Sequence, residues 1–232
     1  MKANLYIDGI PAVLWGQPSN KVFIAIHGSQ GSKDDRVISL FAEKAQQYGY
    51  QVLAFDLPGS GEREKTDGMG LRESMKDLQD VMDYAKKGWK SISLFAISIG
   101  AFFSLMSYRD SRLKQALFLS PIVDMQRMIE NMMNWFHVSE DQLREEKKIA
   151  TPMETLDWDY YDYVKKHPVD QWMVPTSILY GGNDEVVELD TIDAFSDRFK
   201  CSLDILDGGE HYFHTPAQLD RFQKWLEREI RR

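Results

Sequence analysis

Residues 91–101 read Ser-Ile-Ser-Leu-Phe-Ala-Ile-Ser-Ile-Gly-Ala, and they constrain the chain more than any other stretch. The apolar run 92–97 has the length and residue types of a buried strand. It stops at Ser98, and Gly100 to Met106 then reads as the start of a buried helix. A strand that turns this sharply into a helix forces its turn residue into a strained backbone. The side chains two positions away must then be small, as Ala96 and Gly100 are. Such a turn holds a hydroxyl out at the end of a sheet, over helix amides that favour negative charge. Ser98 is therefore a candidate nucleophile. A buried strand followed by a serine N-cap would look the same, so the rest of the chain must separate the two readings.

The chain has 232 residues, 43% of them hydrophobic, which suits one large α/β domain with a real core. A net charge of −8 without a basic cluster argues against nucleic acid and against an anionic membrane surface as partners. The single cysteine, Cys201, allows no internal disulfide. The first residues lack the apolar stretch of a signal peptide, and no stretch approaches a membrane span. The expectation is a soluble, cytoplasmic protein.

Short apolar runs recur along the chain. Residues 5–7 and 10–15 flank Asp8-Gly9 and read as a hairpin. A continuous apolar run at 22–26 suits a strand buried on both faces, 52–55 reads as the next buried strand, and 116–119, 176–180 and 203–206 read as three more strands. Between them lie helical patterns, such as Leu71, Met75, Leu78, Met82 and Ala85 on one face. Strand and helix alternate with short connections, which predicts an α/β fold with a mostly parallel, doubly wound sheet. Sites in such sheets gather outside the carboxyl ends of the strands. His27-Gly28, Asp56, Ser98, Ser120-Pro121, Asn183-Asp184 and Glu210-His211 fall there.

Ser98 needs a base, and a histidine suits near neutral pH. The histidine in turn needs a carboxylate to fix its tautomer. Asp184 follows Tyr180-Gly181-Gly182-Asn183, and His211 follows Asp207-Gly208-Gly209-Glu210. With Ala96 in place of the first glycine, the serine turn resembles the G-x-S-x-G elbow of the α/β-hydrolase family. The chain order Ser98, Asp184, His211, the His27-Gly28 turn and the Asp56-x-Pro58-Gly59-x-Gly61 loop follow that family's order over nearly the whole chain.

The resemblance implies a serine hydrolase with catalytic Ser98, Asp184 and His211. It also implies an oxyanion hole from the backbone amides of Ile99 and Ser29, with Gln30 as the alternative to Ser29. Glu185, Asp190 and Asp124 are competing carboxylates. His214 competes with His211, but Thr215-Pro216-Ala217-Gln218 reads as a helix start with a capping box, so His214 falls at its edge. His27 reads as a loop organiser, and His137 and His167 as solvent-facing. The Asp56 loop lacks the lysine of a phosphate loop and the third glycine of a dinucleotide fingerprint. No metal ligand set stands out, and no cofactor is expected.

Residues 121–175 break the alternation. Met125, Met128, Ile129, Met132, Met133 and Phe136 share one helical face. A polar helix is expected over 139–150, with Ser139 and Gln142 as its capping box, and a further helix over 156–166. The expectation is one hydrolase domain, 1–232, with a helical cap or lid at 122–174. Met132, Trp135 and Trp158 are candidate substrate contacts, because methionines suit a pliable apolar pocket. The expected substrate is a small to medium apolar or aromatic ester. Thioesterase or amidase activity, or a non-catalytic binding protein on the same fold, are the alternatives.

Overall fold

The computed structural model describes residues 1–63 and 70–230. Asp8 and Gly9 both take positive φ, 49° and 87°, the backbone a two-residue hairpin turn needs. They join β1 (Lys2–Ile7) to β2 (Ile10–Trp15) in antiparallel register. The other strands of the main sheet are β3 (Lys21–Ile26), β4 (Gln51–Phe55), β5 (Ser91–Ile97), β6 (Ala116–Leu119), β9 (Thr176–Gly181) and β10 (Ser202–Leu206). Their order is β1-β2-β4-β3-β5-β6-β9-β10. β2 runs antiparallel to β4, and every pairing from β4 through β10 is parallel.

Wholly apolar strands serve two faces at once. In β3, Phe23 and Ala25 enter one core cluster, while Val22, Ile24 and Ile26 enter the other. The first cluster is roofed by α1 (Arg36–Gln47) and α8 (Pro216–Glu229). Phe41 of α1 stacks on Phe95 of β5 with centroids 4.0 Å apart. The second cluster is covered by α2 (Leu71–Gly88), α3 (Ile99–Tyr108) and α7 (Leu189–Phe199). This is the doubly wound α/β arrangement expected from the sequence.

The segment between β6 and β9 lies on the second side. It holds α4 (Met125–Trp135), α5 (Glu140–Glu146), the strand pair β7 (Lys148–Ile149) and β8 (Leu156–Asp157), and α6 (Trp158–Lys166). Met125, Met128, Ile129, Met132 and Met133 are all buried on α4, and Phe136 is half-buried at its end. Two expected boundaries are corrected. The polar helix ends at Glu146, because Lys147 turns to φ 70°. With Leu143 as its one buried residue, it has no apolar stripe to extend. The last helix begins at Trp158, since Leu156 and Asp157 pair with β7 and Asp157 caps the helix through Asp159 N and Tyr160 N. Among the described residues no helix is long and apolar enough to cross a membrane.

Candidate active site

Ser98 stands between β5 and α3 at φ 50° and ψ −121°, a conformation that strains a residue with a side chain. The surroundings hold it there. Its N–H donates to the Leu119 carbonyl at 3.1 Å, and its own carbonyl accepts from Ala101 and Ile122. A methyl group at Gly100 would come within 2.6 Å of the His27 carbonyl oxygen, and one at Gly28 within 3.2 Å of the Ser98 Cβ. The serine turn and the loop after β3 therefore pack backbone against backbone.

The loops after β9 and β10 meet just as closely. Asn183 N–H donates to the Gly209 carbonyl at 2.7 Å, and Gly182 N–H to Leu206 at 2.8 Å. A side chain at Gly181 would strike the Glu210 carbonyl at 2.4 Å. That contact brings the two carriers of chemistry together. The Asp184 side chain is fully buried; its Oδ1 accepts from the amides of Val186 and Val187, and its Oδ2 lies 2.7 Å from His211 Nδ1. A carboxylate only accepts, so Nδ1 carries the proton and Nε2 is left as an acceptor. Nε2 lies 2.9 Å from Ser98 Oγ.

The competing residues are engaged elsewhere. His214 has its Nδ1 at the Tyr212 carbonyl, and its amide on Gln218 Oε1, next to the capping box of α8. Asp124 caps α4, accepting from Arg127 N. Glu185 and Asp190 are exposed. His137 and His167 are exposed as well. His27 is buried. Its Nδ1 donates to the Gly28 carbonyl at 2.7 Å and its Nε2 accepts from Leu57 N–H at 3.0 Å. Burial lowers its pKa, against the raising pull of the Gly28 carbonyl, Asp35 and Asp56.

Asp56 is a structural anchor. It accepts from Lys33 N, Lys33 Nζ and Glu62 N at 2.8, 2.7 and 3.0 Å, tying the loop after β4 to the loop after β3. Burial pulls the Lys33 ammonium down, but hydrogen bonds to Asp56 and Glu62 outweigh it and hold its pKa above the ordinary value.

Ser98 and His211 open onto a cleft of about 1440 Å³. Gly28, Ser29, Gln30 and Ile99 line it beside the serine, and Met125, Met128, Ile129 and Met132 form its apolar side. As the first residue of α3, Ile99 has an amide with no acceptor inside the helix. Met132 is thus brought to the site. Trp135 and Trp158 are not among the lining residues. Trp135 is 43% exposed at the end of α4, and Trp158 packs on Tyr161 beneath the cations of Arg144 and Lys147. Arg63 is paired with Asp77 and Glu73.

The lining from α6 is Asp159, Tyr160 and Tyr163, a face at spacing three and four that the sequence pattern contained. Residues 152–157 and 70–73 also line the cleft. Apart from Leu71, which opens the α2 stripe, no periodicity marks them, because they come from loops and element ends. Among the described residues no group of three His, Cys, Asp or Glu side chains is placed to hold a metal ion.

This sheet order, with a serine turn after β5 and partners after β9 and β10, defines an α/β-hydrolase. Residues 17–157, more than half of the chain, match the family described as serine aminopeptidase, S33, and the protein belongs to that family of hydrolases. Among solved structures, Est1E from Butyrivibrio proteoclasticus with ferulic acid bound superposes with a TM-score of 0.79 at 24% identity, over 98% of this chain and 97% of its own. A putative hydrolase from Agrobacterium vitis S4 gives 0.80 at 15% identity, over 99% and 98%. The Pyrococcus furiosus esterase Pf2001 gives 0.66 at 19% identity, over 98% and 92%. No curated protein sequence matches the chain.

Proposed function

We propose that the protein is a serine hydrolase that cleaves carboxylic esters through an acyl-enzyme on Ser98. The observation that carries this reading is the hydrogen-bonded run from Ser98 Oγ through His211 to Asp184, at the edge of a cleft with a methionine-rich side. In the proposed reaction His211 Nε2 takes the Ser98 proton as Oγ attacks the ester carbonyl. Asp184 steadies the imidazolium. The amides of Ile99 and Ser29, or Gln30 in its place, receive the negative oxygen; losing one such donor typically costs about 100- to 1,000-fold in rate. His211 then protonates the departing alcohol, and water releases the acid by the same route in reverse.

The segment 122–174 is proposed as the cap, supplying the acyl pocket with Met125, Met128 and Met132. Medium-length or aromatic acyl groups should bind there better than acetyl, at roughly 25 cal/mol per Å² of apolar surface buried. The ferulic acid held by Est1E, an aromatic carboxylic acid, is in keeping with this. The half-buried free thiol of Cys201 suits a reducing cytoplasm. Thioesters and amides would use the same groups, and a binding protein could keep the fold without turnover.

A fluorophosphonate probe and a series of chromogenic esters test the reading. The wild type is expected to be labelled at Ser98 and to hydrolyse esters. Ser98→Ala and His211→Ala should lose on the order of 10⁴- to 10⁶-fold in kcat, with Asp184→Asn comparable or smaller. Retained labelling in His211→Ala would remove His211 as the base.

A further inference from the structure

The cleft has two chemically different sides, and they belong to different halves of the molecule. Met125, Met128, Ile129 and Met132 are part of the core on the α2–α3 side of the sheet. Val37 and Phe213, which also line the cleft, belong to the core beneath α1 and α8. Tyr212 also lines the cleft, between His211 and Phe213 in the chain, and the residue is 60% exposed. It stacks on His214, with centroids 5.6 Å apart and planes within 7°. The stack is braced. His214 Nδ1 donates to the Tyr212 carbonyl at 2.9 Å, and Gln218 Oε1 accepts from the amides of His214 and Thr215.

We propose that Tyr212, backed by His214, is the platform for the leaving-group alcohol, and that it selects alcohols carrying an aromatic ring. This assignment rests on the ester-hydrolase reading. In acylation the Ser98 Oγ–carbon bond forms and the bond from the acyl carbon to the alcohol oxygen breaks. The proton that left Ser98 passes from His211 Nε2 to that oxygen. The oxygen must therefore lie within hydrogen-bond reach of Nε2, about 2.6–3.2 Å. His211 reaches the cleft from the loop before α8, with Tyr212 next to it, so the alcohol departs along that side. The acyl group takes the opposite, methionine-lined side. A flat aromatic ring that lines the cleft and is braced by a stack on His214 offers its area to another ring.

The test compares benzyl and methyl esters of one acid, whose alcohols have similar acidity, in wild type, Tyr212→Ala and Tyr212→Phe. The ratio of kcat/KM for the benzyl ester to that for the methyl ester should fall about three- to tenfold in Tyr212→Ala and be restored in Tyr212→Phe. The loss should sit in acylation, because the acyl-enzyme no longer contains the alcohol and breaks down at a common rate for both esters. An unchanged ratio in an enzyme that a fluorophosphonate still labels would overturn the platform alone. So would a change in acyl preference at constant alcohol, which would put the ring on the acyl side. A wild type that is neither labelled nor active on any ester would overturn the hydrolase reading and the platform with it.

Discussion

His211 and His27 are each held by two hydrogen bonds, yet only one faces the serine. His211 keeps its Nε2 for Ser98, while His27 spends its Nε2 on the Leu57 amide inside the core. The difference was legible from position: one histidine follows the last strand, and the other begins a tight turn beside glycine. The tryptophans were less legible. Their size suggests a pocket, but size alone does not say which side of a helix faces the serine, and Trp158 serves Arg144 and Lys147 instead. His27 also carries a pH dependence of stability. Its folded pKa is depressed by burial, so the unfolded chain takes up the proton first. The stability it contributes is complete above the unfolded value of about 6.5 and is lost as the pH falls from there through the folded value. Urea unfolding of the wild type should weaken from pH 7 to pH 5, and His27→Gln should show a shallower slope over that range. Equal slopes would mean that other groups set the acid response.

At the scale of elements, the loop after β3 is fastened at both ends. Gly28 lies against Ser98, and Lys33 lies against Asp56, with the lysine side chain 7% exposed and the aspartate fully buried. Breaking one member of a buried ion pair strands the other, at about 3–5 kcal/mol. Lys33→Met, which strands Asp56, should destabilise by about that much, and Asp56→Asn by less, because Glu62 still accepts from the Lys33 ammonium. The double variant should fall short of the sum by about 1–3 kcal/mol, read from urea midpoints in a double-mutant cycle. Strict additivity would show that the two side chains do not act as a pair. Nothing in the sequence joins Lys33 to Asp56, because charge pairing across two loops leaves no periodic mark. The strands were legible for the opposite reason: four or five apolar residues in a row, as in β3, β4 and β6, have few other places to go. The segment after β6 fell between these cases. The α4 stripe is plain, whereas the end of α5 depends on one positive φ at Lys147 and a two-residue strand pair.

Over the whole molecule, the core on the α2–α3 side does not stop at the segment after β6. Met125, Met132, Leu156, Tyr161 and Trp172 join the same cluster as Ile24, Leu94 and Phe118 of the sheet. The segment after β6 and the rest of the molecule should therefore unfold in one transition. Met132→Ala should cost about 2–5 kcal/mol of stability and also reduce the preference for longer acyl groups. Both effects can be measured on one preparation, by urea unfolding and by an acyl-chain series. A variant that loses the preference at full stability would show that Met132 belongs to the pocket and not to the core. This double duty sets the terms on which the enzyme can be retuned. Enlarging the proposed acyl pocket removes ballast from the hull, so a new specificity and a lower melting temperature should arrive together. Directed evolution of this site would have to begin from a stabilised parent, or gain compensating substitutions under α1 and α8, where the core is separate from the methionine side.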